Sequence, residues 1–310
     1  MTSENGIEDQ AGGTYGSLEA AAGWQRSGVA RAPVLAPLTE RMLDLAGVGI
    51  GHRVLDVAAG TGEQTLAVAR RVGSTGAVLA TDIAAQMLAL AAEAAAQAGL
   101  RNVETRVLDA RDLDLEPESF DAAISRLALM LVPERARAMA SIHRALKPGK
   151  RFATLVLATA DKCPFIALPM GAAGRCAGTP QAPFGDPGMF ALGDPAVLAA
   201  AYRDAGFRQV TIEAATVQRR FPSLAVAMQN VRDQLPEIPQ LLMHATERRS
   251  SHERIAAIRS AQSTPGYRTS TMYFTTSPST YLPPQRRAPP PHRCWLQNIR
   301  REDRGSGHLV

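Results

Sequence analysis

The sequence predicts an α/β protein built on a doubly wound, mostly parallel sheet. From residue 53 onwards, short apolar runs alternate with helical stretches, which is typical of parallel strands joined by helices. The first run leads into a loop of small residues at 58–62, and a helical pattern follows directly. Hydrophobic residues make up 45% of the 310 residues, which is enough for a sizeable core and excludes a wholly disordered chain.

The elements begin with a helical N-terminal stretch at residues 17–46, in which Pro33 is expected to start a second helix. We expect strands at residues 53–57, 77–82, 103–109, 120–125, 152–158 and 208–214. We expect helices at residues 63–72, 84–98, 133–146 and 195–205. Residues 84–98 carry apolar side chains at helical spacing, and Gly99 suits the left-handed position that ends a helix.

Two stretches interrupt this alternation. Residues 159–194 hold five prolines and six glycines, and a segment of this kind after the fifth strand is expected to form a lid or wall over a ligand. After residue 262 apolar periodicity vanishes; residues 269–277 could form one strand, but no convincing seventh strand is found. The predicted organisation is a helical cap at 1–50, a domain at 51–262, and a tail at 263–310 that is disordered or non-native.

Charge and cysteine usage limit the class of protein. The net charge is +5, but residues 251–310 alone carry nine arginines against three acidic residues, so the basic character belongs to the tail. The three cysteines form no CxxC pair, which argues against a disulfide framework or a metal site and favours a reducing cytoplasm. There is no signal-peptide pattern and no apolar run long enough to span a membrane.

The loop at 58–62 is the strongest functional signal. Asp56 lies in the strand before it, Gly60 and Gly62 allow close approach of the backbone to a ligand, and the next helix points its N–H groups at that ligand. A dinucleotide fingerprint would need a third glycine where Thr65 stands, and no tyrosine is followed four residues later by lysine. An NAD(P)-dependent oxidoreductase is therefore the less favoured alternative.

Acidic residues also end the second and third strands, at Asp82 and Asp109. With the glycine loop, the run FDAAIS at 120–125 and the run RALKPGK at 144–150, they form an ordered set over residues 50–158. This set resembles the class I S-adenosylmethionine-dependent methyltransferases, most closely the ubiquinone/menaquinone C-methyltransferase type. The resemblance implies a Rossmann-like methyltransferase fold of the seven-stranded type and S-adenosylmethionine as cofactor.

The resemblance also assigns residues to the cofactor. It implies that Asp82 accepts the ribose hydroxyls and that Asp109 and Ala110 receive the adenine amino group. The expected contact residues are Asp56, Ala58, Gly60, Thr61, Gly62, Asp82, Ile83, Met87, Asp109, Ala110, Ser125 and Arg126. Ala58 stands where many relatives have glycine, which is tolerable if the turn needs no positive φ.

Several of these residues have a purely structural alternative. Asp56 could cap its own turn, and Asp82 could be an ordinary helix N-cap. Arg126 follows the fourth strand and could meet a substrate anion, the methionine carboxylate or only a neighbouring acid. His143 lies within a helix away from the strand ends. Trp24 is either a lid contact over the cofactor or a core aromatic, and the core is favoured.

The function predicted is methyl transfer to a small molecule, by C- or O-methylation of a quinone, a phenol-like compound or a secondary metabolite. No general base is identified, so the catalytic residue stays open. An alternative from another class is an inactive methyltransferase-like protein whose basic tail binds nucleic acid. That tail has no lysine and its arginines are scattered, so nucleic acid is the less favoured partner.

Overall fold

The computed structural model describes residues 17–178, 185–235, 238 and 269–279. The helices are α1 (Leu18–Ala46), α2 (Glu63–Val72), α3 (Ala85–Gln97), α4 (Arg135–Ala145), α5 (Pro164–Ala177), α6 (Pro195–Asp204) and α7 (Leu224–Gln234). The strands are β1 (Arg53–Val57), β2 (Ala77–Asp82), β3 (Val103–Val107), β4 (Phe120–Arg126), β5 (Leu146–Leu157), β6 (Thr211–Gln218) and β7 (Thr269–Pro278). None of the described helices is long and apolar enough to cross a membrane.

The seven strands form one sheet in the order β3-β2-β1-β4-β5-β7-β6. The first five strands pair in parallel, and β7 lies antiparallel between β5 and β6. Helices cover both faces, so β1 is fully buried at Val54 and Leu55 and reads as a continuous apolar run. The predicted doubly wound, mostly parallel sheet is confirmed.

The seventh strand corrects the expectation for the C-terminal part. β7 covers Thr269–Pro278, close to residues 269–277 that the sequence allowed as one strand, although no convincing seventh strand was found and 263–310 was assigned to a disordered or non-native tail. Met272 and Phe274 are buried on β7, and Ser270 and Ser277 are buried with them. An interior strand covered on both faces does not need the polar–apolar alternation that marks a half-exposed strand. The other residues of 263–310 lie outside the described part.

The N-terminal stretch also differs from its prediction. Pro33 does not begin a second helix, because α1 continues through both Pro33 and Pro37. Each proline removes a hydrogen bond to the carbonyl four residues earlier. Both prolines lie on the exposed side of α1, where water can solvate the carbonyls that lose their partners. The buried side of α1, with Leu35, Met42 and Leu43, packs into the main core.

The ends of two other elements shift. β5 begins at Leu146 rather than at residue 152, and so includes the segment 147–149 that was expected to be a turn. β6 covers Thr211–Gln218 rather than 208–214, which brings its C-terminal end close to Arg219. The second shift matters for the site, because it places a new charged residue directly after a strand.

Candidate active site

The carboxyl ends of the parallel strands open into one cavity. Strands that pair in parallel end at the same edge, and ligands of open α/β sheets bind beyond that edge. Eight of the predicted contact residues line the cavity: Ala58, Gly60, Asp82, Ile83, Met87, Asp109, Ala110 and Arg126. The other four, Asp56, Thr61, Gly62 and Ser125, are not part of its lining.

The β1–α2 loop turns sharply to reach this cavity. Ala58, Gly60 and Gly62 have φ values of 56°, 58° and 82°. Alanine at position 58 was expected to be tolerable if the turn needed no positive φ. That condition is not met, because the turn does need a positive φ there. A Cβ at Gly62 would lie 2.7 Å from the Cβ of Ala91 on α3, whereas one at Gly60 would meet nothing within 4 Å. Gly62 thus permits close packing of the loop on α3, and Gly60 leaves open space.

Asp56 stabilises the loop through buried hydrogen bonds. Its carboxylate is fully buried and accepts hydrogen bonds from Thr65 Oγ1 at 2.6 Å and Gln64 Nε2 at 3.3 Å. Gln64 Nε2 also donates to the carbonyl of Ala59 at 3.0 Å. Burial raises the pKa of Asp56 to about 6, although these hydrogen bonds favour its charged form. Thr65, the residue that breaks the dinucleotide fingerprint, therefore helps to fix the strand to the helix.

Asp82 joins the loop to α3. Its Oδ2 accepts the backbone N–H of Gly60 at 2.8 Å, and its Oδ1 accepts that of Ala84 at 2.9 Å. The N-cap position of α3 is Ala84, and no side chain makes a cap hydrogen bond there, so Asp82 is not the N-cap of this helix. Burial raises the pKa of Asp82 above its usual value. Asp82 thus holds the glycine loop and the residue before α3 together, and its carboxylate lies on the cavity wall.

Asp109 is placed at the next strand end by its own capping contacts. It accepts the backbone N–H of Arg111 at 2.8 Å and the Arg111 guanidinium at 2.6 Å. Burial opposes its ionisation, but the hydrogen bonds from Arg111 outweigh this and lower the pKa of Asp109. The cavity therefore has a second ionised carboxylate beyond β3.

Apolar side chains line the cavity together with the two carboxylates. Ile83, Met87, Leu108 and Ala110 line this part of the cavity, and Ile83 is 53% exposed. Trp24 of α1 also lines it and packs on the small cluster of Ala21, Ala84 and Met87. Of the two alternatives for Trp24, the favoured core position is wrong, because α1 brings it to the cavity.

Arg126 meets a neighbouring acid. Its Nη2 donates to Glu63 Oε2 at 2.8 Å, and its Nη1 donates to Thr39 Oγ1 at 3.0 Å. Arg31 of α1 donates to the other oxygen of Glu63 and to the carbonyl of Trp24. Burial lowers the pKa of Arg31, and Glu63 opposes that shift. One carboxylate thus serves two buried guanidinium groups at the edge of the cavity, which leaves this cluster with a net positive charge.

Ser125 and His143 lie away from the cavity wall. The Oγ of Ser125 is buried and has no hydrogen-bond partner among the described residues. Because Ser125 does not line the cavity, its side chain would not contact a cofactor bound there. His143 packs edge-to-face on Phe207 with ring centroids 4.8 Å apart, and burial lowers its pKa. His143 is therefore a packed helix residue, as its position in the sequence predicts.

The far half of the cavity is mostly apolar. Its walls include Met130, Leu131, Leu157, Ile166, Met189 and Leu235, together with the polar side chains of Arg219 and Gln234. Ile166 and Met189 come from 159–194, the stretch expected to form a lid or wall. The sequence did not single out Arg219 or Gln234, because only the fold brings β6 and α7 to this cavity.

The donor set of the near half fits an S-adenosyl group. Such a ligand offers vicinal hydroxyls, a flat aromatic base and an amino acid end. The cavity presents carboxylates for the first, apolar side chains for the second, and an open glycine position with a positive cluster for the third.

Comparison with known proteins agrees with this chemistry. Residues 54–149 match a family model described as a methyltransferase domain. The fold is similar to the YcgJ protein from Bacillus subtilis, with a TM-score of 0.53 and 16% identity over 78% of this chain and 98% of that one. It is also similar to the Haemonchus contortus phosphoethanolamine N-methyltransferase 2, solved in complex with S-adenosyl-L-methionine. That match has a TM-score of 0.51 and 18% identity, and covers 79% of this chain and 53% of that one.

No curated protein sequence matches the chain. The likeness to solved structures establishes the fold, and the family model adds the class of activity. The match of residues 54–149 shows a methyltransferase domain in this part of the chain.

Proposed function

We propose that this protein transfers a methyl group from S-adenosylmethionine to a carbon or oxygen of a small quinone-like or phenol-like acceptor, as enzymes of the ubiquinone/menaquinone type do. Residues 51–158 would hold the donor and residues 159–262 would select the acceptor, with 1–50 as a cap. The observation that carries the donor half is that two carboxylates, Asp82 and Asp109, line one cavity together with apolar side chains.

Expected contact residues that line the cavity would bind the donor directly. Asp82 would accept the two ribose hydroxyls, and Asp109 with the backbone of Ala110 would hold the adenine edge. Ile83 and Met87 would cover the faces of the base. Gly60 and the cluster of Arg126 would receive the amino acid end. The four residues that do not line the cavity would act indirectly by supporting the loop and strand: Asp56, Thr61, Gly62 and Ser125.

When bound, the donor supplies a methyl group on a sulfonium, which is already activated towards displacement. The chain's task is then to align the acceptor and to exclude water, which can account for several kcal/mol of the barrier. Trp24 and α1 close one side of the cavity, and Ile166 and Met189 close another. The described walls of the far half contain no carboxylate, histidine, lysine, cysteine or tyrosine that could act as a general base.

Donor binding is tested first by thermal denaturation with S-adenosylmethionine, S-adenosylhomocysteine and NADH. A ligand that binds only the folded state stabilises it by about 2.7 kcal/mol at one hundred times its Kd. We expect a concentration-dependent rise in Tm with the two S-adenosyl compounds and none with NADH. A rise with NADH alone would sink the proposal in favour of an oxidoreductase.

The site assignment is tested with Asp82→Asn, which removes the carboxylate charge but keeps one oxygen as acceptor. Loss of charge-assisted hydrogen bonds should weaken S-adenosylhomocysteine binding by about 10-fold to 100-fold in calorimetry. Asp112→Asn is the matched control, because Asp112 lies in the next loop, is not part of the cavity lining, and makes an exposed ion pair with Arg137. Equal affinities of the two variants would show that Asp82 does not bind the donor.

A further inference from the structure

Arg219 is a buried cation in the acceptor half of the cavity. It directly follows β6, its residue is 3% exposed, and it lines the cavity beside Leu235. A guanidinium keeps its charge when it is buried, so this half of the cavity contains a positive group. The sequence pattern did not reveal Arg219, because the stretch around it carries no recognisable motif.

The topology places Arg219 at the reacting edge of the sheet. β6 and β5 are both antiparallel to β7, so they run parallel to each other. The carboxyl end of β6 therefore lies at the same edge as the ends of β2 and β4, which carry Asp82 and Arg126. Arg219 therefore lies at the carboxyl end of its strand, as Asp82 and Arg126 do, but in the acceptor half of the cavity.

Neighbouring side chains fix the guanidinium in place. Arg219 Nη1 donates to Gln234 Oε1 at 3.1 Å, and the group lies over the ring of Phe165 at 4.6 Å. A guanidinium carries five N–H donors in one plane, so it can hold Gln234 and a ligand oxygen together. Apolar walls from Met130, Leu157 and Ile166 lower the local dielectric and strengthen its attraction for an anion.

We propose that Arg219 binds an anionic oxygen of the methyl acceptor, a carboxylate, phenolate or enolate on an otherwise apolar small molecule. This inference rests on the proposed function and specifies its substrate class. An anionic acceptor also suits a cavity half whose described walls hold no general base, because an ionised acceptor has no proton to lose before it reacts.

The transfer balances in charge and electrons. An electron pair of the acceptor oxyanion forms the new bond to the methyl carbon, and the carbon–sulfur bond of the donor breaks with its electron pair left on sulfur. The sulfonium becomes a neutral thioether and the acceptor loses its negative charge. Arg219 makes no bond in this step; it binds the acceptor and favours its ionised form.

The test measures binding of two matched probes, 1-naphthoate and 1-naphthamide, to the full chain saturated with S-adenosylhomocysteine. The probes share an apolar body and differ in charge. We expect naphthoate to bind about 10-fold or more tightly than naphthamide at neutral pH in calorimetry, as a charge-assisted contact implies. Arg219→Gln should abolish this preference. The matched control is Arg220→Gln, since Arg220 is exposed and is not part of this cavity lining.

A second variant tests the same contact in case Arg219→Gln fails to fold. Gln234→Glu keeps Arg219 and its packing but places a carboxylate on the guanidinium, so it should also remove the preference for naphthoate. Equal binding of the two probes by the unaltered protein would overturn the proposal. So would a preference that survives in Gln234→Glu, or binding of neither probe at millimolar concentration.

The two proposals fail in different ways. If S-adenosylhomocysteine does not bind while naphthoate is still preferred, the proposed function fails and the anion site remains. If S-adenosylhomocysteine binds to every variant but naphthoate has no preference, the methyltransferase remains and the anionic substrate class is wrong.

Discussion

The backbone of Ala58 is held in the left-handed region, with φ at 56°, at the start of the cofactor loop. This conformation costs a residue with a Cβ about 1–2 kcal/mol. Backbone strain of this kind is common at ligand sites. The strain persists because the surroundings fix the loop on both sides: the N–H of Ala59 donates to Thr81, and that of Gly60 to Asp82. Leu127, directly after β4, has a similar φ of 58° and also lines the cavity.

Ala58→Gly should therefore stabilise the protein. Relief of the strain outweighs the greater entropy of glycine in the unfolded chain, which costs about 0.5–1 kcal/mol. We expect the free energy of unfolding to rise by up to about 1 kcal/mol in urea titration. Ala92→Gly is the control, because Ala92 is exposed within α3 and the same change there should cost about 1 kcal/mol. Losses of equal size at both positions would contradict the strain argument.

The sequence predicts these residues as members of a motif but not their contacts. The positions of Asp82 and Asp109 follow from strand ends, which a single sequence reveals through apolar runs. The positive φ of Ala58 and the hydrogen bond from the Gly60 N–H to Asp82 depend on how the loop meets the end of β2, and no local pattern encodes that contact. The pairing of Arg126 with Glu63 and Arg31 joins residues from three elements, so it could not be derived before the fold was known.

At the scale of elements, α1 is fastened to the cofactor loop by one carboxylate. Glu63 is the first residue of α2, directly after the glycine loop, and it holds Arg31 of α1 and Arg126 of β4. The side chains of the two arginines are 1% and 5% exposed, so neither charge is screened by water. Arg31 also lies over Trp24 at 3.8 Å, which ties the cavity wall to the same cluster.

Glu63→Gln should be strongly destabilising, because it leaves two buried guanidinium groups without their shared counter-charge. Loss of one partner in a buried ion pair costs about 3 kcal/mol or more. The matched control is Glu93→Gln, an exposed position on α3 where the same change should cost less than about 0.5 kcal/mol. Unfolding in urea measures both, and similar values for the two variants would mean that the cluster does not hold α1.

Two elements show where local sequence signals mislead. Pro33 and Pro37 predict a break in α1, yet both face solvent and the apolar face of the helix packs on the core. β7 has a strand-like composition, but the proline- and arginine-rich residues around it hide the signal. In both cases the tertiary contacts decide the outcome, and those contacts come from residues far away in sequence.

At the scale of the whole molecule, β7 joins the two halves of the sheet. It pairs with β5 over residues 151–157 and with β6 over residues 211–218. Among the described strands, β6 pairs with β7 alone, and Arg219 directly follows β6 in the proposed acceptor half of the cavity. The strands that carry the proposed donor residues, β1 to β4, do not pair with β7. The proposed acceptor half therefore depends on a strand that lies after residue 262.

Deleting residues 263–310 should thus abolish the cooperative thermal transition. The deletion strips hydrogen bonds from both β5 and β6, leaves open strand edges, and removes Met272 and Phe274 from the core at about 2 kcal/mol each. Together these losses approach the whole stability of a typical domain, about 5–15 kcal/mol. Deleting only residues 280–310 keeps every described contact and should leave Tm within a few degrees of the full chain. If calorimetry gives the two shortened chains the same Tm, β7 is not part of the stable sheet, and the placement of Arg219 at the acceptor site fails with it.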